Sequence, residues 1–213
     1  MSHLVIFDHA LFIANGLSVT LGYTFISWIF GFIISLGLLF LKRLNSFWDF
    51  VVGAFVSVIR GTPLMVQLVF LYYVLRFPGP VAAICAFTVN SAAYTSEILR
   101  GALMSIGKGQ FDAAHALGIP KHLLWRDILF PQMLRTALPG ITGEVASLIK
   151  ETSILAIISE NDIMRLAIER GQVDYQFIWP IMIVGCYYYF ISGVLTVCFK
   201  LLEGRVLHHV KIV

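Results

Sequence analysis

Long apolar runs alternate with short polar interruptions along this chain, and the interruptions mark out its elements. A first run, about residues 15–41, stops at Lys42-Arg43. A second, about 50–75, is split by Arg60-Gly61-Thr62-Pro63, and a third, about 81–106, follows the turn sequence Phe77-Pro78-Gly79-Pro80. After a polar-flanked stretch at 107–131, a fourth run covers about 132–158 and a fifth about 177–202, with the charged segment Ser159 to Gln176 between them. Each run reaches the roughly 20 residues that a helix needs to cross about 30 Å of hydrocarbon. The pattern therefore predicts an all-α integral membrane protein with about five spans in one transmembrane domain, residues 1–213.

Basic residues orient these spans. Lys42-Arg43, Lys108, Lys121, Arg126 and a tail of Lys200, Arg205, His208, His209 and Lys211 all fall at one set of ends. By the positive-inside rule that set is cytoplasmic, so the N-terminus lies outside and the C-terminus inside. Ser159 to Gln176, where Glu160, Asp162, Glu169 and Asp174 oppose Arg165 and Arg170, suits the outer side. Met1 to Ala14 has no basic n-region or small-residue cleavage site and reads as a short lead, not a signal peptide.

Composition narrows the function classes. Hydrophobic residues make up 59% and charged residues only 13%, with mean hydropathy +0.86, whereas charged residues are about a quarter of a soluble domain. No segment is long enough for separate soluble chemistry. The net charge of +3 is dispersed along the chain, so no nucleic-acid-binding stripe is expected. Cys85, Cys186 and Cys198 sit in apolar runs and are read as small buried residues. The 6 histidines are read as solvated or interfacial, without a metal site. No Gly-x4-Gly-Lys-Ser/Thr loop is present to cradle ATP phosphates, and no Gly-x-Ser-x-Gly elbow to present a nucleophile. The chain is not expected to be an enzyme on its own.

The stretch 107–131 carries the most specific pattern. Asp112 can favour a helix N-terminus, Ala113, Ala114, Ala116 and Leu117 form a small apolar face, and Gly118 stops the helix. Pro120 can start a second short helix carrying Leu123, Leu124, Ile128 and Leu129. Two adjacent alanines let another backbone approach closely, so the elbow is shaped to be gripped. The order Asp112-Ala113-Ala114, Gly118, then Ile128-x-Phe130-Pro131 resembles the EAA loop of permease subunits of ABC importers, with Asp112 in place of the usual Glu and Phe130 in place of the usual Leu.

Three further stretches, in family order, are similar to the polar amino-acid branch of these permeases: Arg60-Gly61-Thr62-Pro63-Leu64-x-Val66-Gln67, Asn90-Ser91-Ala92-Ala93-Tyr94-x-x-Glu97-Ile98-x-Arg100-Gly101-Ala102, and Ile149-Lys150-Glu151-Thr152-Ser153. The resemblance implies the type I importer permease fold in a bacterial inner membrane. It implies a core of two permeases, two ATPase subunits that hold ATP and Mg, and an extracytoplasmic binding protein that delivers an amino acid. Asp112, Ala113, Ala114 and Gly118 would then couple to the ATPase, and this chain would bind no cofactor itself.

Charges inside spans are costly unless paired or hydrated, which makes them site candidates. Glu144 and Glu151 lie two helical turns apart and can share a face of the fourth span, either on a substrate path or in helix–helix contacts. Lys150 points elsewhere. Glu97 either pairs with Arg100 on the same helix or joins the path. Asn90, Lys150, Thr152 and Ser153 can receive a substrate carboxylate. Acids outnumber bases along this wall, which tilts the reading toward a cationic amino acid such as arginine or histidine over glutamine. Selection by the binding protein alone is the other reading. Arg60, Gly61 and Pro63 form the expected joint, with Gly61 permitting the angle and Pro63 removing a helical hydrogen bond. The functional alternative from another class is a self-sufficient ion-coupled carrier, against which the absence of an inverted repeat counts.

Overall fold

The computed structural model describes residues 3–207; His208, His209 and Lys211 of the expected basic tail lie outside them. Among the described residues every regular element is helical. In order these are α1 (His3–Ala14), α2 (Leu17–Leu41), α3 (Ser46–Gly61), α4 (Leu64–Val69), α5 (Gly79–Met104), α6 (Lys108–Ala116), α7 (Lys121–Leu123), α8 (Phe130–Glu151), α9 (Ile163–Asp174) and α10 (Ile178–Leu207). Wider π turns extend α4 over Phe70–Val74 and join α7 to α8 over Leu124–Leu129, and a 3-10 segment, Thr152–Ile158, extends α8. By length and composition Ile6–Leu41 and Ile178–Leu201 can each cross a membrane, and α3 with α4 makes a third candidate bent by 99° at its break.

The α5 helix is the hub, with α2, α3, α4 and α8 packed around it, while α10 lies against α8, α9 and α1. Small side chains explain the closest of these contacts. One stripe of α2 is buried and runs Thr20, Thr24, Ser27, Gly31, Ser35, and the facing stretch of α5 includes Ala86, Asn90, Ser91 and Ala92. Gly31 is needed there: a Cβ would come within 3.0 Å of Ser91 Cβ and 3.2 Å of the Ala92 nitrogen. Spacing small residues every three or four positions lets helix backbones approach where lipid offers no hydrophobic drive to associate. The opposite side of α2 presents exposed Phe25, Ile29, Phe30, Ile33 and Phe40.

Several expectations change. The segment after Pro120 is not a separate short helix, because helical structure continues from Lys121 to Glu151. Pro131 has no N–H to return to residue 127, and its ring crowds that carbonyl. The helix answers by widening over Leu124–Leu129 instead of stopping. Cys186 and Cys198 are exposed on α10, not buried, while Cys85 is half-buried. His9 is neither solvated nor interfacial: it is 0% exposed, with Nε2 2.9 Å from Asp174. The cause is that α9 folds back over α1, where Arg170 pairs with Asp8 and Tyr187 donates to the Ala10 carbonyl at 2.9 Å.

Asp162, placed in the polar outer segment by its sequence neighbours, is fully buried. It caps α9 by accepting from the Arg165 nitrogen at 2.9 Å and accepts from Tyr188 Oη of α10 at 3.3 Å. The next residue, Ile163, donates its N–H to Thr20 Oγ1 of α2 at 3.4 Å. One carboxylate thus stands where α2, α9 and α10 meet. Burial pushes its pKa up to about 6, against the downward pull of the Arg165 and Met164 N–H groups.

Two outcomes are expected. Gly31→Val should destabilise the purified protein by about 1–3 kcal/mol, as overpacking does. Gly37→Val, where a Cβ meets nothing within 4 Å, should leave the thermal midpoint unchanged. For Asp162 the folded state holds the proton more tightly than the unfolded chain does. Stability should therefore fall by up to about 3 kcal/mol as pH rises from about 4 through about 6. Asp162→Asn keeps the capping oxygen, and its midpoint measured across that range should lose this slope.

Candidate functional site

Three features gather the sequence candidates: the joint between α3 and α4, the elbow at α6, and the wall where α5 meets α8. At the joint Arg60, Gly61, Thr62 and Pro63 are exposed. The corner is made by Thr62 (φ −114, ψ 140) and Pro63 (φ −62, ψ 135), both extended, as the residue before a proline prefers. Gly61 is not what permits the angle: it is the last helical residue of α3, and a Cβ on it meets nothing within 4 Å. The expectation is corrected on that point, because an ordinary helical residue fits there.

Breaking a helix strands its last carbonyls, and at this joint two side chains satisfy them. Thr62 Oγ1 donates to the Val58 carbonyl at 2.9 Å. Gln67 Nε2 reaches back from α4 to the carbonyls of Ile59 at 2.9 Å and Thr62 at 3.2 Å. Gln67 stands in one of the quoted family stretches but had no role assigned from sequence. The available signal was an uncharged polar side chain four residues past a proline, inside an apolar run. An apolar cavity of about 420 Å³ fills the inside of the bend, with Gln67, Phe70 and Ala86 among its lining residues.

At the elbow α6 ends in a left-handed residue, Gly118, with φ +64. The Ile119 N–H bonds the Ala114 carbonyl at 3.0 Å and the Gly118 N–H bonds the His115 carbonyl at 3.1 Å, the two bonds of a Schellman cap. Asp112 and Ala113 are exposed, whereas Ala114 is 3% exposed and packs inward with Leu103, Leu124 and Leu129. The adjacent alanines therefore divide their work: Ala114 keeps α6 close to its own chain, while Ala113 and Asp112 face outward. Asp112 does not cap the helix, since α6 begins four residues earlier at Lys108 with Gly107 at its N-cap.

On the wall, half-buried Glu144 of α8 lies beside Ser91 of α5, with Glu151 and Arg60 within electrostatic reach. The Arg60 guanidinium stands 5.0 Å over the Tyr94 ring. Asn90 is buried on the same stretch of α5. The fold thus brings Ser91, Glu144, Glu151 and the joint residue Arg60 into one neighbourhood, with Asn90 buried one residue before Ser91. It does not bring the other candidates there. Lys150 faces a cavity of about 730 Å³ toward α10, bordered by Tyr188, Tyr189 and Ser192. Thr152 is fully buried, and its hydroxyl donates to its own helix at the Ile149 carbonyl, 2.7 Å away, so it is not available to a substrate. Glu97 is engaged twice, by Arg100 Nη2 at 2.7 Å and by Lys42 Nζ at 3.4 Å, and is not a free acid on a path. Among the described residues no group of His, Cys, Asp and Glu is arranged to hold a metal ion.

A helical bundle with a broken, bent helix pair, a capped elbow presenting polar surface, and carboxylates on an interhelical wall defines a membrane transport component. Residues 29–208 match the family described as binding-protein-dependent transport system inner membrane component, and the chain belongs to it. Relatives agree over nearly the whole length. The arginine transport system permease protein ArtQ of Bacillus subtilis is 37% identical over 202 residues, covering 91% of this chain and 92% of the relative. A Rickettsia bellii protein named for glutamine transport, GlnP, is 34% identical over 208 residues, covering 92% and 94%. Among solved structures, the crystal structure of an amino acid ABC transporter with histidines contains a chain that superposes with TM-score 0.89 at 28% identity, covering 96% of this chain and 99% of that one.

The joint gives a prediction that separates its parts. Gly61→Ala should leave stability and transport unchanged. Gln67→Leu, which strands the Ile59 and Thr62 carbonyls, should cost about 1–3 kcal/mol in thermal unfolding.

Proposed function

We propose that the chain is the transmembrane permease subunit of an ATP-driven ABC importer of amino acids, placed in a bacterial cytoplasmic membrane. In this reading α2, the α3/α4 pair, α5, α8 and α10 cross the bilayer, with the α6 end in the cytoplasm and α9 on the outer side. The observation that carries the reading is the elbow. A polar helix of nine residues is ended by a Schellman cap, held to its own chain by Ala114, and presents Asp112 and Ala113 to solvent with no partner among the described residues. An ATPase subunit that binds ATP and Mg supplies that partner, so hydrolysis lies outside this chain. A second permease copy or homologue completes the pathway, and an extracytoplasmic binding protein delivers the substrate. A self-sufficient ion-coupled carrier has no use for such an elbow.

The pathway wall supports a polar amino acid. Glu144 and Glu151 suit an ammonium or guanidinium, while Arg60 and Asn90 suit the carboxylate. With Glu97, Thr152 and Lys150 removed from the wall, the local balance is two acids to one base. That balance favours a cationic substrate such as arginine over glutamine.

Proteoliposomes containing the permease, its ATPase and a loaded binding protein should take up substrate only when ATP is supplied. Ala113→Trp, exposed and clear of the chain's own core, should insert normally yet lose uptake and substrate-stimulated hydrolysis. Ion-driven uptake without the ATPase would defeat the importer reading. Glu144→Gln should lower arginine uptake about tenfold, the loss of roughly 1.4 kcal/mol, while glutamine uptake holds; equal effects on both would remove Glu144 from the selective route.

A further inference from the structure

At the end of α2 the fold forms an open cavity of about 470 Å³ whose lining includes none of Asn90, Glu144 and Glu151. Its wall carries Lys42, Arg43, Arg100 and Lys108, drawn from three separate parts of the chain, with Asp49 of α3 as the only acid among the lining residues. Glu97, behind the wall, is bonded to both Lys42 and Arg100. Four cations thus face two carboxylates, and Arg43 and Lys108 are left in excess. Gly107 caps α6 with no side chain over its first-turn N–H groups, which adds partial positive charge beside Lys108. The floor is apolar, formed by Leu39, Leu103, Ile106 and Phe111.

A basic rim over an apolar floor recognises an anion that carries a hydrocarbon tail. The surroundings identify its source. The cavity opens where the apolar α2 ends in Lys42 and Arg43. Tryptophans adjoin it, with Trp48 36% exposed beside Asp49 and Arg43 stacked 4.6 Å over Trp125. Aromatic rings and cations together mark the headgroup level of a bilayer.

We propose that this cavity is a binding site for an anionic phospholipid, whose phosphate sits between Arg43 and Lys108 and whose first acyl carbons cover Leu103 and Phe111. The bound lipid then ties α2 and α5 to the start of α6, so that elbow position becomes sensitive to membrane charge.

Native mass spectrometry of the purified permease–ATPase complex tests this with dioleoylphosphatidylglycerol and dioleoylphosphatidylcholine titrated separately, each with and without millimolar inorganic phosphate. Wild type should retain the anionic lipid over the zwitterionic one by about tenfold or more, and Arg43→Gln with Lys108→Gln should remove most of that preference. Arg126→Gln, an equal-sign charge loss on an exposed residue paired with Asp127, should retain it. The charge-keeping pair Arg43→Lys with Lys108→Arg should also retain it, and this arm remains decisive if the neutral pair fails to assemble. Equal retention of the two lipids by wild type, or undiminished preference in the neutral pair, overturns the proposal. So does complete displacement of the lipid by inorganic phosphate, which would make the cavity a site for free phosphate.

Discussion

Close approach of α2 and α5 is the constraint on which the rest of the structure depends. Within a bilayer, apolar side chains gain little by turning from lipid toward each other, so helices are held by contact geometry and by hydrogen bonds. The seam of Thr24, Ser27, Gly31 and Ser35 against Ser91 and Ala92 supplies that geometry. Thr24 and Ser35 return their hydroxyls to carbonyls of their own helix, Thr20 at 2.8 Å and Phe32 at 2.7 Å. They are therefore polar without needing water. With the seam fixed, α5 offers its remaining faces to α3, α4 and α8, and the joint and the wall are edges of that hub.

The polar interruptions differ in how they are resolved. At the joint the chain changes direction and pairs the freed carbonyls with Thr62 and Gln67. At Pro131 the backbone stays helical and the helix widens. The difference is local: Thr62 is extended before Pro63, while every residue around Pro131 holds helical dihedrals. A proline in an apolar run can thus produce either a corner or a swollen turn, and a side-chain amide placed to serve the corner, as Gln67 is here, goes with the first outcome.

Much of this architecture is legible from residue pattern because the bilayer imposes a length and a polarity on each helix. The apolar runs ending at Leu41 and beginning near Val81 match α2 and α5 within a few residues, and Gly118 stops α6 as its type suggests. What pattern could not supply is partnership across the sequence. Lys42 and Glu97 are 55 positions apart, so the capture of Glu97 by a second cation is invisible along the chain. His9 and Asp174 are separated further still, and nothing near His9 announces that α9 will cover it. Ala113 and Ala114 look equivalent in sequence, yet the 100° step between neighbours on a helix turns one outward and one into the core.

The unbroken helical path from Lys121 to Glu151 carries a mechanical consequence. Its 31 residues span about 46 Å, and Glu144 lies about 35 Å along it from the end nearest α6. A continuous helix resists compression, so force applied at the elbow arrives at Glu144 as tilt, rotation or bending at Pro139, which lies inside α8. The regular hydrogen bonding along it is altered twice, at the swollen turn Leu124–Leu129 and at Pro139, and these are where the lever can bend. Rotation would swing the Glu144 carboxylate relative to Arg60, which stands on a different helix and does not share the rod. The distance between acid and base, and with it the grip on a zwitterion, would then follow the lever's angle.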